Sequence, residues 1–259
     1  MFESDDFDFC VRRYKGTGKR QVAVPDGITS IGESAFRCKT SLREVSLPTT
    51  LDRIDARAFE SCNNIHAFEF PERLRRMGRA AFKSCSSLEE VVLPREFMEL
   101  GEDCFSYCYE LSYVELNGRL KKIPANCFRK CTHLDFIEIP EGVREIGAGA
   151  FRDCIALTCV VLPDTLRRIE KGAFRGCTAL AEIFLPDSVK IIDADVFRDC
   201  RSLVDVSFSD ELREVRSQAF AGCSLLEEPH FPPTLKHIAP DALRGVGEGL
   251  KASKESGED

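Results

Sequence analysis

The chain has 259 residues, 43% of them hydrophobic and 31% charged, the balance of an ordinary folded, soluble protein. Its net charge of −7 argues against generic nucleic-acid binding. No apolar run approaches the roughly 18 residues that span a bilayer, so no membrane segment is expected.

Met1 to Cys10 is acidic and polar, with no basic start and no apolar stretch behind it. This is not a secretory signal, so the mature chain is expected to begin near Met1 and to be cytoplasmic. In that compartment the 13 cysteines are expected to be reduced thiols rather than a disulfide framework. Residues 1–25 are expected to form a capping hairpin. The segment from Phe7 to Val24 contains Gly16-Thr17-Gly18 and feeds into a first coil at Val22-Ala23-Val24-Pro25.

From residue 26 to 245 one unit repeats. Phe recurs at 36, 59, 82, 105, 128, 151, 174, 197 and 220, each interval being 23 residues (59 − 36 = 23), and Leu243 takes the next slot. The residue before each Phe is small, as at Ala35, Cys104, Cys127 and Ala150. Three residues after Phe stands a cysteine in eight units, from Cys62 to Cys223, and six after it Leu or Ile. Apolar residues follow at nine and eleven, Pro commonly at twelve, and further apolar slots come at fifteen (Leu51, Leu166) and eighteen (Ile54, Ile146, Ile169). One such unit cannot bury its own apolar side. Stacking about ten of them turns each slot into a continuous ladder, and the ladders together make a core. The Leu-x-x-Val-x-Leu-Pro stretch alternates at its end, which suits a short strand closed by proline. Coils that all run the same way place those strands in parallel. At about 4.8 Å per rung the stack is roughly 48 Å long. Beyond residue 245 the chain turns rich in Gly, Lys, Ser and Glu, and 246–259 is expected to be a disordered tail.

The string Ser30-Ile31-Gly32-Glu33-Ser34-Ala35-Phe36, and copies such as Ile146-Gly147-Ala148-Gly149-Ala150-Phe151-Arg152-Asp153-Cys154, resemble the BspA-type leucine-rich repeat over about residues 20–245. The resemblance implies a leucine-rich-repeat solenoid, mostly β, with one strand per coil in a parallel ladder and short turns or 3-10 segments on the convex side. Family members are often surface proteins of bacteria and protists that adhere to host proteins or other cells. An adhesin-like role at the cell surface is therefore the alternative to a cytoplasmic scaffold.

No catalytic motif emerges. His66, His133, His230 and His237 fall in different slots and coils. Gly16-Thr17-Gly18-Lys19 only approaches a phosphate loop, because Arg13 and Arg20 stand where Gly and Ser or Thr are needed. Cys104, Cys108, Cys127 and Cys131 imitate the spacing of a four-thiolate zinc site. The repeat accounts for them more simply, since Cys108 and Cys131 belong to the cysteine ladder while Cys104 and Cys127 fill the small-residue slot. Neither enzyme activity, metal nor cofactor is expected.

In leucine-rich repeats the strand residues between the buried ones line the concave surface. Here they lie eight and ten positions after Phe. The first set reads Glu44, Ala67, Glu90, Tyr113, Phe136, Cys159, Glu182, Asp205 and Glu228. The second reads Ser46, Glu69, Val92, Glu115, Glu138, Val161, Phe184, Ser207 and His230. Tyr113, Phe136, Cys159, Val161 and Phe184 cluster in the middle coils and are rimmed by Glu90, Glu115, Glu138 and Glu182. Exposed apolar clusters with polar rims mark interaction sites, so a protein or peptide partner of basic character is expected there. The bland alternative is strand propensity alone. On the outer side basic rows recur: Arg75, Lys121, Arg144, Arg167, Lys190, Arg213 and Lys236 at sixteen, and Arg37, Lys83, Arg129, Arg152, Arg175, Arg198 and Arg244 at one. They are expected to be solvated or paired with Asp and Glu. Anion or nucleic-acid binding is their minor reading, without aromatic interleaving to support it. The partner's identity and the oligomeric state are not written in the sequence.

Overall fold

The computed structural model describes residues 10–11 and 18–249. It is a parallel-strand solenoid of about nine turns of about 23 residues, nearly free of helix. The tenth coil expected from the repeat is incomplete. Its long-strand positions, around Pro229, form no strand, consistent with a residue that cannot donate to a ladder.

Most coils carry two short strands where one was expected; the coil after Phe59 has only the shorter one, with no strand at 67–69. The longer is three residues, as in Tyr113–Glu115, Phe136–Glu138 and Cys159–Val161, and buries only its central residue. Long strands pair two by two, parallel and in register, in four two-stranded sheets, as Phe136 does with Cys159, Ile137 with Val160 and Glu138 with Val161. The shorter is two residues, as in Arg53–Ile54 or Arg168–Ile169, with the second residue buried. These short strands stack into a five-stranded and a six-stranded parallel sheet. The break between the two sheets falls between Glu99–Leu100 and Lys122–Ile123, just before Pro124. In other coils the N–H at that slot donates to the coil before, for example Gly147 N–H to Ile123 O at 2.8 Å and Glu170 N–H to Ile146 O at 2.9 Å. Proline has no N–H to give.

The segment around each Phe forms a third ladder. The residues two before and two after Phe adopt left-handed conformations in coil after coil, among them Ser34 (φ 58), Cys38 (φ 58), Asp103 (φ 56) and Tyr107 (φ 65). Left-handed residues other than glycine are uncommon. Here the alternation turns every second N–H along the stack axis. Ser34, Phe36 and Cys38 donate to the Ala56, Ala58 and Glu60 carbonyls of the next coil at 3.0, 2.7 and 2.8 Å. The N–H groups between them close local turns, such as Ala35 to Gly32 O. A proline after the long strand opens another turn, its carbonyl accepting from the apolar residue three positions on, as in Leu166 to Pro163 O at 3.0 Å. Most repeat slots thus have a fixed hydrogen-bonding duty, which fits the constant coil length of 23 residues.

The core runs the length of the stack. The nine phenylalanines of the repeat slot, Phe36 to Phe220 at intervals of 23, are all fully buried, and successive rings lie nearly parallel with centroids 5.0 to 5.7 Å apart. The cysteine ladder lies beside them. Each thiol from Cys62 to Cys223 donates to the Phe carbonyl of the preceding coil, as Cys154 Sγ does to Phe128 O at 3.0 Å. The cysteine therefore does more than fill space: it is a small, weakly polar donor that gives a second hydrogen bond to a buried carbonyl already accepting a backbone N–H, as Phe128 O does from Cys131 at 3.1 Å.

At the N-terminal end, most of the expected hairpin lies outside the described residues. Its two described stretches, Cys10–Val11 and Gln21–Ala23, do not pair with each other; they run parallel to Ser30–Ile31 and Glu44–Ser46 as rungs of the short and long ladders. At the other end, Val246 still packs against the core and Gly249 N–H reaches Ser224 O, so the stack extends past residue 245. The rest of the expected tail, from residue 250, lies outside the described residues.

Candidate interaction surface

The long strands bury one residue in three, so their flanking residues form two outward columns. Register pairing places Tyr113 beside Glu90, Phe136 beside Cys159, and Val161 beside Glu138. Tyr113, Phe136, Val161 and Phe184 are exposed by 50, 45, 44 and 64%, and Cys159 is exposed too. The apolar residues occupy neighbouring rungs and run diagonally, from the first column at Tyr113 and Phe136 to the second at Val161 and Phe184. Glu90, Glu138 and Glu182 are exposed and Glu115 is half-buried. The expected set is therefore brought together on one face.

Between Tyr113 and Phe136 the face dips into a cavity of about 370 Å³. Its lining adds Ser112, Asn117, Asp135 and Pro140 to the residues expected from the two columns. Asn117 stands in the slot that proline holds in most coils, and this departure was the available sequence signal. The Tyr113 hydroxyl donates to Glu115 Oε2 at 3.2 Å, and Asn117 Nδ2 donates to Glu115 Oε1. These contacts orient the carboxylate. The hydrogen bond to Glu115, with the charge of that carboxylate, holds the Tyr113 hydroxyl above its usual pKa. Among the described residues, none of Glu90, Glu115, Asp135, Glu138 and Glu182 forms an ion pair. By contrast, the Tyr107 ring on the turn side is already covered, with Arg129 Cζ and Lys130 Nζ each 5.6 Å from its centroid.

The basic rows behave differently from one another. The row directly after Phe is largely neutralised within the protein: Arg37 lies 2.7 Å from Glu60, and Arg198 Nη1 lies 3.2 Å from Asp195. In the row at sixteen, Lys190 pairs with Glu211 at 3.1 Å, while Arg144 and Arg167 make no ion pair among the described residues. A larger groove of about 930 Å³ opens beside this row. Arg167, Arg168, Lys190 and Arg216 line it, but so do Glu170, Asp187 and Asp193, and Arg216 is engaged with Asp193 at 3.1 Å. Its greater size does not make it the better candidate, because the positive and negative charges along it nearly cancel. The 370 Å³ cavity carries charge of one sign beside open aromatic rings.

Thiol chemistry is confined to the surface. Cys104, Cys108, Cys127 and Cys131 are fully buried. Burial pushes the Cys104 thiol up to about 12 and raises the other three as well, so the thiolate a metal needs is disfavoured. No group of three or more His, Cys, Asp or Glu side chains among the described residues is arranged to hold a metal ion. No helix among them is long and apolar enough to cross a membrane.

Comparison with known proteins agrees with this architecture. The model of the BspA type leucine rich repeat region matches residues 12–135 and 121–247. A solved leucine-rich repeat protein from Bacteroides ovatus is 22% identical, with a TM-score of 0.50, covering 96% of this chain and 85% of that one. A leucine rich cell surface protein from Faecalibacterium prausnitzii is 23% identical, with a TM-score of 0.52 and coverages of 96% and 90%. The pneumococcal vaccine antigen PcpA is 17% identical, with a TM-score of 0.62 and coverages of 92% and 73%. A search of curated proteins gave no match. At these identities the structures share the fold, and the repeat itself makes the assignment: the chain belongs to the BspA-type leucine-rich-repeat family.

Proposed function

We propose that this protein is a non-catalytic interaction scaffold that binds a protein or peptide on its long-strand face, the concave side in leucine-rich repeats. The observation that carries this reading is the diagonal of Tyr113, Phe136, Val161 and Phe184, all exposed on successive coils and rimmed by carboxylates without ion pairs among the described residues. Strand propensity alone would scatter such residues over the ladder; clustering them leaves a patch whose burial favours association. The unpaired Glu90, Glu115, Glu138 and Glu182 favour a basic partner and would act mainly on the rate of encounter.

Affinity capture with the full chain tests this, using a Tyr113→Ala/Phe136→Ala variant and an Arg144→Ala/Arg167→Ala variant in parallel. The expected outcome is a partner retained by the parent and the arginine variant and lost from the aromatic one. A partner lost only from the arginine variant would move the working surface to the outer basic row, where an anionic ligand is the natural occupant. Placement at a cell surface, the location named for the Faecalibacterium relative, is the second reading. It uses the same face and is separated by protease accessibility on intact cells.

A further inference from the structure

Building on the reading that this face binds a protein, we propose that the cavity between Tyr113 and Phe136 receives the side chain of one lysine or arginine from an extended partner segment. Three carboxylates line the cavity, Glu115, Asp135 and Glu138, and among the described residues no cationic side chain lines it with them. None of the three forms an ion pair among the described residues, whereas carboxylates elsewhere on the chain commonly do, as at Glu60, Asp193 and Glu211. Like charges converging without a counter-charge repel one another, and a cation entering from outside relieves that repulsion. Glu115 is already held in place by Tyr113 and Asn117, so less side-chain freedom is lost on binding.

The walls suit the stem and head of the same residue. Tyr113 and Phe136 each leave about half their surface open, at 50 and 45% exposure. A methylene stem packs on such rings, and a guanidinium or ammonium group is attracted to their faces. A neutral apolar side chain would gain the packing but leave three carboxylates partly desolvated without a partner, which is unfavourable. An acidic side chain would be repelled.

Phe184 then sets the spacing of the segment. It lies two coils beyond Phe136 and in the other outward column, on a strand that neighbours Cys159–Val161 without ladder pairing. Two rungs of about 4.8 Å and two residues of about 3.3 Å along the strand place it roughly 12 Å away. An extended segment covers that distance in about three to four residues. The matching motif is therefore one basic residue with an apolar residue three or four positions from it.

Selection of displayed random 12-residue peptides on the immobilised full chain tests both elements. Enriched peptides are then resynthesised and their affinities measured on the parent, Tyr113→Ala/Phe136→Ala, Glu115→Gln/Glu138→Gln and Phe184→Ala chains, each checked by thermal melting to be folded. The expected result is one dominant Lys or Arg position with an apolar residue three or four away. Replacing the arginine by neutral citrulline should weaken binding at least about tenfold on the parent, and by less than about twofold on Glu115→Gln/Glu138→Gln. Peptides that need Tyr113 and Phe136 but bind equally well with citrulline would overturn the cation pocket and leave the face as a binding surface. Enriched peptides indifferent to Tyr113 and Phe136, or no enrichment at all, would overturn both.

Discussion

Phe151 and Phe136 are the same residue in neighbouring coils, yet one is 0% and the other 45% exposed. Phe151 sits in a stack of rings, 5.4 Å from Phe128 and 5.4 Å from Phe174, with its N–H donating to Ala173 O in the next coil. Phe136 stands on a long strand whose central residue, Ile137, takes the burial for it. In a solenoid the slot decides the role, and residue type does not. A slot filled alike in every coil maintains the stack. A slot whose residue changes from coil to coil is free to serve something outside it. The column of Glu90, Tyr113, Phe136, Cys159 and Glu182 is of the second kind, and the Phe column is of the first.

The comparison breaks most readily at the ring stack. Phe151→Ala removes a fully buried ring between two others and should cost about 3–5 kcal/mol in urea unfolding. A cost near 1 kcal/mol would mean that the stack repacks freely and that the slot matters less than the repeat implies. Repeat proteins can unfold in parts, so the transition should be followed by two probes.

The thiol ladder gives the next effect, through pH. Burial raises the Cys154 and Cys104 thiols from 9.0 to about 12, and desolvation raises their neighbours too. The protonated thiol is therefore favoured in the folded chain. Its contribution is complete below pH 9 and is lost as pH rises toward 12. Stability followed by circular dichroism from pH 8 to 11 should fall steeply, and less steeply in Cys154→Ala. In the folded chain at pH 8, Cys159 and Cys38, both exposed, should react with a thiol reagent well before the ladder cysteines do. Rapid modification of the ladder would indicate that the stack opens.

A smaller effect is expected where two coils touch through backbone. A Cβ on Gly101 would lie 2.3 Å from Gly78 C and Arg79 N. Gly101→Ala should cost about 1–3 kcal/mol through overpacking, measured by the same denaturation. The smallest effect belongs to the long-strand face. Phe136→Ala and Tyr113→Ala should each change stability by no more than about 0.5 kcal/mol, as surface substitutions do. A loss close to that of Phe151→Ala would make these rings packing residues and remove the ground for a binding face.

Most of the fold was legible because its signals repeat. The interval from Phe36 to Phe59 recurs without interruption, and the alternation at Val160 and Leu162 marked the long strand. What stayed hidden has local causes. The strand Arg53–Ile54 is two residues long, too short to show a period, so Ile54 was readable as buried but not as a strand. The left-handed turns fall on Ser34, Arg57 and Lys130 as readily as on glycine, because bonds between coils, rather than local propensity, hold them. The thiol donors were hidden because cysteine also fits the slot by size alone. On the long-strand face, the aromatic diagonal was visible from the columns. The cavity beside it was not, since it depends on Asp135, just before the strand Phe136–Glu138, and Asn117, two positions after the strand Tyr113–Glu115.

The most direct test of the contrast between stack and face is a pair of affinities, measured with the same captured partner or selected peptide. Phe136→Ala and Arg144→Ala chains are compared with the parent at temperatures where all three are fully folded. The expected result is a loss of about 2 kcal/mol or more, roughly 30-fold, for Phe136→Ala and none for Arg144→Ala. Unchanged binding by Phe136→Ala together with a loss in Arg144→Ala would contradict it and assign recognition to the outer basic row.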